Sequence, residues 1–373
     1  VFNYGTDYTQ FITIKNYPDK YFLNPAVTLK YFSNLSTAPG VINDAFDIDK
    51  KENSFRVFVL GGSSTAGWPY VPNASFSRQL KRRLELIYPE TNIEIVNCGI
   101  SAINSYTIRD FVPEIIKQKP DLVLIYAGHN EYYGALGAGS VISMGQSRFI
   151  KNTYIYLMDY KTTQLLRDFI GWMYGLFTLS KKIDNASNET LMGKMIGESL
   201  ITLNSDTFKS GVEQFEGNFR DILKYFKDAE ILVIVGTLSM NIKDLPPFIS
   251  VAKDSLPSAS EIFNQAKIEL EQGNISKAKE LFIYAKELDA LRFRAPEKIN
   301  NIIKSLAVEF GDPVAFIDSA FDANSPDKIV GYNLTVDHLH PNEEGYQLIA
   351  KTFLKKMEET KHLPAGKQLA INN

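Results

Sequence analysis

One uninterrupted apolar run, residues 121–127 (DLVLIYA), constrains the fold of this chain more than any other feature. A strand that is half exposed alternates apolar and polar residues, whereas a strand covered by helices on both faces is apolar throughout. Two similar runs precede it at 55–61 (FRVFVLG) and 93–98 (IEIVNC), and the intervening segments 76–88 and 106–118 have helical spacing of apolar residues. This alternation predicts right-handed βαβ units and a parallel sheet.

Two long segments then interrupt the alternation. The next strand candidate, 230–236 (EILVIVG), follows about a hundred residues after the third, far more than a simple crossover needs. We therefore predict a mainly helical insertion over 132–207, and a helix over 208–226 that returns to the sheet. A fifth strand over 314–317 and a closing helix over 343–357 complete an α/β domain with a five-stranded parallel sheet.

Within the first insertion, the apolar spacing predicts helices over 154–177 and 189–203. The aromatic and aliphatic residues of 155–177 fit two interpretations. They form either the buried core of the insertion, which is the more common case, or a lid or membrane-facing surface that admits acyl chains.

The second interruption, 257–290, resembles one tetratricopeptide-like helix pair. The matching small and aromatic residues are Ala266, Gly273, Ala278, Phe282 and Ala285. Because one pair is not an array, a helical hairpin packed on the main domain is favoured over a peptide-binding groove. A helix over 295–310 then leads to the fifth strand.

The predicted organisation is an N-terminal wrap and one large interrupted domain. Residues 1–54 are aromatic and polar with several turn signals, so we predict an irregular wrap. Residues 55–373 form the main domain, which the insertions at 132–207 and 257–290 interrupt.

Composition narrows the partners. The chain has 40 Lys and Arg against 43 Asp and Glu, a formal net charge of −3, so we expect no nucleic-acid partner. The single cysteine, Cys98, excludes an internal disulfide framework and any cysteine-based zinc site. With four histidines and no His-x-x-x-His spacing, we expect no metal.

The cellular location of the protein is only weakly indicated by the sequence. No stretch approaches the roughly 18 apolar residues of a membrane span. The chain starts at Val1 rather than Met, so we expect a processed end at which any targeting or anchoring segment is not visible.

The first strand ends in a glycine-rich turn, Gly61-Gly62-Ser63-Ser64-Thr65-Ala66-Gly67. Open α/β sheets bind ligands at this edge. A phosphate-binding Walker loop needs lysine where Trp68 stands, and the serines break a dinucleotide fingerprint. A nucleophilic serine and a helix-capping serine remain as the two interpretations, although Thr65 replaces the last glycine of a lipase-type elbow.

A second polar segment, Asp337-His338-Leu339-His340, lies just before the last helix. An aspartate three residues before a histidine can fold back onto its imidazole, fix its tautomer and stabilise its protonated form. His340 is therefore the better candidate for a general base. His338 is the alternative, although its neighbour Asp337 reaches its ring less easily.

Two further segments end consecutive strands: Asn97-Cys98-Gly99 and Gly128-His129-Asn130-Glu131. Attack by a serine generates an oxyanion, which needs preorganised hydrogen-bond donors. The amides of Ser63 and Gly99 and the side chain of Asn130 are suitable donors at the same edge of the sheet.

The ordered set GGSST, NCG, GHNE and DHLH resembles the four sequence blocks of the SGNH (GDSL-type) hydrolase superfamily, and it spans residues 61–340. The resemblance implies a three-layer α/β/α flavodoxin-like fold with strand order 2-1-3-4-5. It also implies a serine esterase or acylhydrolase that needs no cofactor.

Carried over by position, the resemblance makes Ser63 the nucleophile, His340 the base and Asp337 the residue that orients His340. The oxyanion hole would comprise the Ser63 and Gly99 amides and Asn130. Two positions depart from the family pattern: Gly62 stands in place of an aspartate, and Glu131 in place of another. Neither carries a catalytic group, but both weaken any transfer of substrate.

The long aromatic stretch after GHNE and residues 291–296 (LRFRAP) resemble a large bacterial branch with tetratricopeptide-like helices. Many members of that branch look membrane-anchored, which implies an extracytoplasmic or membrane-anchored location. It also leaves open a protein partner at the helical hairpin.

Several residues are secondary candidates for substrate binding. His129 lies beside Asn130, where a substrate contact and a structural hydrogen bond are equally plausible. Arg292 and Arg294 form either surface ion pairs or a clamp for a negatively charged substrate. Asn241 follows the fourth strand, and Asp318 at the end of the fifth is a rival orienting acid.

The sequence therefore predicts a serine hydrolase that cleaves an O-acyl ester of a carbohydrate or a lipid-like molecule through a covalent acyl-enzyme. Acyl transfer to a sugar hydroxyl uses the same residues and is an alternative. A non-catalytic binding or assembly module with a vestigial site is the alternative from another class.

Overall fold

The computed structural model describes residues 4–32, 38–140, 147–177, 200–252 and 256–366. Its N-terminal segment forms a small antiparallel sheet, where an irregular wrap was predicted. The strands, in sheet order, are β1 (Phe11–Ile14), β2 (Tyr17–Leu23) and β3 (Phe46–Asp47), with a 3₁₀ helix at Pro25–Lys30. Phe46 packs edge-to-face on Phe11 and Phe58, with ring centroids 5.1 and 5.4 Å apart, so this sheet is part of the core.

The predicted apolar runs form one parallel sheet. Its strands are β4 (Ser54–Gly61), β5 (Asn92–Asn97), β6 (Leu122–Tyr126), β7 (Val233–Gly236) and β8 (Val314–Ala315). Their order is β5-β4-β6-β7-β8, so the predicted 2-1-3-4-5 arrangement is confirmed. All five residues of β6 are buried, as its uninterrupted apolar sequence requires.

Helices cover both faces of this sheet. The described α-helices are α1 (Ser63–Ala66), α2 (Phe76–Ile87), α3 (Ser105–Lys117), α4 (Arg148–Leu157), α5 (Lys161–Phe177), α6 (Asp206–Asp228), α7 (Ala259–Glu271), α8 (Ile275–Leu288), α9 (Glu297–Phe310), α10 (Ile317–Ala323) and α11 (Glu343–Glu359). On one face α2 packs on α11, and on the other α6 packs on α3 and α9. The α/β three-layer fold is confirmed.

Three strands are shorter than predicted, and β6 lacks only one residue at each end. Strand β7 begins at Val233 because Glu230, with φ of 57°, belongs to a turn. Strand β8 ends at Ala315 because Ile317 already begins α10.

The order of the strands reverses at β4, which lies between β5 and β6. Parallel sheets bind ligands at such a switch point, at the carboxyl ends of the strands. The turns after β4, β5 and β6 therefore share one edge.

The first insertion differs from the prediction. The predicted helix 154–177 is divided between α4 and α5, which are separated near Asp159. Of the second predicted helix, residues 189–199 lie outside the described residues, and 200–203 are not helical.

Helix α5 packs through its polar side. The buried Gln164 exchanges hydrogen bonds with the backbone of Thr6, and Asp168 accepts one from Tyr4. Its large apolar side chains are exposed: Leu165, Leu166, Phe169, Ile170, Trp172 and Met173. A buried core is therefore the wrong interpretation for this part of the insertion.

The second interruption is a hairpin of α7 and α8. The rings of Phe263 and Phe282 are 5.2 Å apart, and Ala266, Ala278 and Ala285 are buried between the helices and the main domain. Among the described helices, none combines the length and apolarity needed to cross a membrane.

Candidate active site

The end of β4 and the loop before α11 meet at the switch-point edge. The Nε2 atom of His340 lies 2.7 Å from Oγ of Ser63, and its Nδ1 lies 2.7 Å from Oδ2 of Asp337. A serine, an imidazole and a carboxylate thus form one continuous hydrogen-bonded chain. In this order, an imidazole can accept the serine proton while the carboxylate stabilises the resulting cation.

Asp337 is held as a carboxylate. Its Oδ1 accepts hydrogen bonds from the amides of Leu339 and His340, each at 2.9 Å. Burial raises the pKa of Asp337, but the hydrogen bond and charge of His340 outweigh it and bring the pKa to about 2. The residue therefore stays ionised across the working range of an enzyme.

The alternative base, His338, has a different environment. Its Nδ1 is 3.4 Å from Oδ1 of Asp337, and its ring lies against the rings of Phe248 and Phe293. Burial lowers the pKa of His338 to about 4. Its Nδ1 approaches Asp337, and no hydrogen bond joins it to Ser63 within the described residues, so it belongs to the wall of the site.

The turn that carries Ser63 is fixed by buried hydrogen bonds. Thr65 Oγ1 donates to the carbonyl of Tyr126 at 2.9 Å, which ties the turn to β6. Asn97 Nδ2 donates to the carbonyl of Thr65 at 2.8 Å, which ties it to β5. These two bonds set the position of the serine relative to both neighbouring strands.

Asn130 lies close to this turn, as predicted. Its Nδ2 donates to the carbonyl of Ile103 at 3.0 Å, which leaves its second N–H for another acceptor. A Cβ atom added at Gly62 would lie only 2.8 Å from this nitrogen. The absence of a side chain at position 62, a departure from the family pattern, therefore makes room for Asn130.

The prediction for Gly99 needs correction. Its amide donates to Oδ1 of Asn97 at 2.8 Å, so it is not free for an oxyanion. A Cβ at Gly99 would lie 2.4 Å from the amide nitrogen of Ala66, which explains the glycine by close packing against the nucleophile turn.

Ala102, and not Gly99, lies beside Ser63 and Asn130. It lines the same cavity as Ser63 and Asn130, and its φ of 58° turns the chain sharply there. Within the described residues, neither its amide nor that of Ser63 donates to an acceptor. Sequence reasoning missed this residue because no glycine marks the left-handed position.

An open cavity of about 410 Å³, which we call the outer cavity, lies over these groups. Its walls are mostly apolar. Besides Ser63, Asn130, Ala102 and the residues 337–340, they include Trp68, Phe248 and Phe293. Trp68 lies against His340, with ring centroids 4.5 Å apart, and is 43% exposed. A site with a few convergent polar groups in an apolar wall is typical of a substrate pocket. Of the three aromatic residues in these walls, Trp68 directly follows the glycine-rich turn and Phe293 lies within the segment 291–296, whereas no sequence pattern marked Phe248.

Three secondary candidates lie elsewhere. Arg294 is buried and bonds Asp289 at 3.0 Å and the backbone carbonyls of Asn241 and Leu245 at 3.0 Å. Arg292 donates to the carbonyl of Ile201 at 2.9 Å. These arginines hold loops together, so a substrate clamp is the wrong interpretation. Surface ion pairs are also the wrong interpretation, because both side chains are buried.

Asn241 is also structural. Its side-chain Oδ1 accepts hydrogen bonds from the backbone amides of Asp244 and Leu245, and its backbone amide donates one to the carbonyl of His338. It therefore supports the loop that carries the histidines and does not line the outer cavity. The rival acid Asp318 bonds Thr237 at 2.7 Å and Lys304 at 3.0 Å, away from His340.

Glu131, the second departure from the family pattern, is buried beside Asn130. It accepts hydrogen bonds from the amide and hydroxyl of Ser105 at 2.9 and 2.7 Å, which joins the end of β6 to the start of α3. Burial raises the pKa of Glu131 to about 7.

Ligand atoms of Asp337, His338 and His340 lie within 4.8 Å of one another, a spacing that can hold a metal ion. In the observed geometry, however, Asp337 and His340 bond each other through two of these atoms. The expectation of no metal stays a prediction.

Residues 176–353 match the family model GDSL-like Lipase/Acylhydrolase. The matched region contains Asp337 and His340, whereas Ser63, Ala102 and Asn130 precede it. No curated protein matches the chain.

Several solved structures are similar to this chain at low sequence identity. An acetylxylan esterase, Axe2, from Geobacillus stearothermophilus is 14% identical, covers 83% of this chain and 96% of its own, and has a TM-score of 0.41. A GDSL-like lipase from Bacteroides thetaiotaomicron is 15% identical, with coverage of 84% and 93% and a TM-score of 0.42. A metagenomic α/β hydrolase from Lake Arreo is 14% identical, with coverage of 82% and 95% and a TM-score of 0.42.

The fold, with a serine, a histidine and an aspartate at its switch point, defines the class of serine hydrolases with an α/β/α architecture. The chain resembles the GDSL-like lipase/acylhydrolase family over residues 176–353, slightly less than half of its length, and it is a serine ester hydrolase that acts on a small-molecule ester.

Proposed function

We propose that this enzyme hydrolyses O-acyl esters with Ser63 as nucleophile, His340 as general base and Asp337 as the residue that orients His340. The observation that carries the proposal is the chain of two 2.7 Å hydrogen bonds from Ser63 through His340 to Asp337, open to the outer cavity.

In the first step, Oγ of Ser63 attacks the acyl carbonyl carbon and its proton moves to Nε2 of His340. The carbonyl oxygen becomes an oxyanion, which we propose is stabilised by the amides of Ser63 and Ala102 and by Nδ2 of Asn130. Asp337 stabilises the imidazolium.

In the second step, His340 gives its proton to the leaving alcohol oxygen and the C–O ester bond breaks, which leaves an acyl-enzyme on Ser63. Water then gives a proton to Nε2 of His340 and attacks the acyl carbon. The bond from that carbon to Oγ of Ser63 breaks as His340 returns the proton to Oγ, which releases the carboxylic acid and restores the free serine. Transfer to an acceptor alcohol would use the same residues, and product analysis with and without such an acceptor distinguishes the two reactions.

The substrate proposal is an O-acyl ester of a carbohydrate or of a lipid-like alcohol, with the alcohol portion in the outer cavity. Trp68, Phe248 and Phe293 support it, because aromatic rings pack against both the apolar face of a sugar ring and an alkyl chain. Rates with acetylated sugars and with fatty alcohol esters separate these cases.

A fluorophosphonate probe with intact-mass detection tests the proposal. We expect one adduct on the wild type and none on Ser63→Ala or His340→Ala with unchanged melting temperatures. An unlabelled but folded wild type would contradict it and favour the binding-module alternative.

Association with a membrane and a protein partner at the α7–α8 hairpin stay predictions. The exposed apolar side of α5 supports the first of these. Sedimentation with phospholipid vesicles tests it, and a Trp172→Gln variant that sediments as well as the wild type would contradict a role for α5.

A further inference from the structure

A second and smaller cavity lies between the carboxyl ends of β4 and β6, and we call it the inner chamber. Its walls include Gly62, Ser64 and His129, and it shares Ser63, Asn130 and Leu339 with the outer cavity. The chamber therefore adjoins the proposed nucleophile and an oxyanion donor, but neither His340 nor Trp68 lines it.

Two residues that line the chamber carry buried polar atoms without partners. The hydroxyl of Ser64 and both ring nitrogens of His129 are buried and make no hydrogen bond within the described residues. His129 is only 7% exposed. Burial lowers the pKa of His129 to about 3, so its neutral ring offers one N–H donor and one acceptor. Leaving such groups unpaired is costly, which indicates that a hydrogen-bonding group occupies the chamber.

The size of the chamber limits that occupant. Its volume is about 10 Å³, against about 410 Å³ for the outer cavity. A volume near this value holds a single water molecule. The occupant is therefore one hydroxyl-sized group.

The proposed reaction decides which part of the substrate points there. His340 must reach the leaving alcohol oxygen, and His340 lines the outer cavity. The amides of Ser63 and Ala102 and the side chain of Asn130 surround the oxyanion. The remaining substituent of the acyl carbon then faces the wall that Ser63, Asn130 and Leu339 share with the chamber.

We propose that the inner chamber is the acyl subsite, and that it selects a two-carbon acyl group with a terminal hydroxyl, a hydroxyacetyl group. The hydroxyl bonds Ser64 and His129 in place of a water molecule. This inference rests on the proposed function, since it assumes that Ser63 accepts the acyl group.

The test uses two esters of one phenol with the same shape. Hydroxyacetyl and propionyl esters of p-nitrophenol differ only by OH in place of CH₃, so a polar chamber prefers the first. We measure kcat/KM for both esters and divide each value by the rate constant for hydrolysis of the same ester by hydroxide. This correction removes the difference in intrinsic reactivity between the two esters. In the wild type, we expect a corrected preference of about tenfold for hydroxyacetate, near the upper value of one neutral hydrogen bond. Octanoyl esters should be poor substrates.

Variants distinguish an effect on acyl selectivity from a general loss of folding or activity. His129→Leu should bring the corrected ratio close to one, whereas His129→Gln, which keeps a donor and an acceptor, should retain most of it. Ser64→Ala should lower the ratio and provides the same test if His129→Leu does not fold. Phe248→Leu, a change in the outer cavity, should leave the ratio unchanged.

A wild-type ratio near one would overturn the inference, as would a ratio unchanged in both His129→Leu and Ser64→Ala. Fluorophosphonate labelling is measured on the same samples. A labelled wild type with a ratio near one contradicts the acyl subsite alone, whereas an unlabelled folded wild type contradicts the proposed function itself.

Discussion

The imidazole of His340 lies 2.7 Å from the hydroxyl of Ser63, although 277 positions separate them in the chain. The sheet explains this proximity. Ser63 lies in the turn after β4, the strand at which the order reverses, and the loop of His340 is held over the same edge by the bond from the backbone amide of Asn241 to the carbonyl of His338. Each residue is positioned by an element that reaches the switch point independently.

The first prediction separates the two histidines. We expect His340→Gln to abolish fluorophosphonate labelling, because no other imidazole bonds Ser63 within the described residues. His338→Gln should change kcat less than about tenfold, since His338 packs on Phe248 and Phe293. Equal losses in the two variants would contradict this assignment.

Asp337→Asn should lower kcat by about 10³- to 10⁴-fold, because an amide cannot fix the same tautomer or stabilise the imidazolium. KM should change little. Steady-state kinetics measure this, and the matched control is Asp318→Asn, whose carboxylate bonds Thr237 and Lys304 instead. A similar loss of kcat in both variants would contradict the role of Asp337.

A third prediction concerns the oxyanion. Asn130→Ala should lower kcat by about 10²- to 10³-fold, the usual cost of one donor. Gly62→Ala should also lower kcat, because its Cβ would lie 2.8 Å from Nδ2 of Asn130. If Gly62→Ala acts through Asn130, adding it to Asn130→Ala should lower kcat little further. Additive losses of kcat in the double variant would contradict this explanation.

The glycine and alanine of the loop after β5 give the fourth prediction. Ala102→Gly should retain activity and melt at the same temperature or higher, because φ of 58° strains a side chain there. Gly99→Ala should lose both activity and stability, because its Cβ would meet the backbone of Ala66 and Thr65 at 2.4 and 2.7 Å. An active, stable Gly99→Ala protein would contradict this packing role.

The parallel sheet was predictable because apolar runs such as that of β6 depend on local sequence and burial alone. Ser63, Asp337 and His340 came together for the same reason: Ser63 follows β4, and Asp337 and His340 precede α11, which packs on the same sheet. The N-terminal strands were missed because their aromatic residues pack on β4, a long-range contact with no local pattern.

The loop after β5 shows a second reason why part of the site could not be predicted from the sequence. Gly99 was chosen because glycine permits an unusual backbone, but Ala102 adopts the left-handed conformation and faces the cavity. Arg292 and Arg294 show a third reason. Nothing in the alternation of 291–294 distinguishes a buried arginine that bonds carbonyls from one that binds substrate, because the difference depends on which loops fold over it.

Arg294 leads to a prediction about stability. Its removal in Arg294→Met leaves Asp289 buried without its cation, so we expect a loss of about 3 to 5 kcal/mol in the free energy of unfolding. Lys304→Met, which breaks a more exposed ion pair to Asp318, should cost less than about 1 kcal/mol. Urea denaturation measures both, and equal costs would contradict the buried role of Arg294.

The last prediction concerns pH and His129. Burial lowers its pKa in the folded protein to about 3, below the ordinary value of 6.5, so the unfolded chain binds a proton that the folded protein does not. The stabilising effect of the neutral ring is complete above pH 6.5 and declines as the pH falls towards 3. Between pH 6.5 and 5, this loss amounts to about 1 to 2 kcal/mol. His129→Gln has no proton to bind, so its free energy of unfolding should fall less over that range. Urea denaturation of both proteins at pH 7 and pH 5 measures the difference, and parallel pH dependences would show that His129 is not buried as a neutral ring.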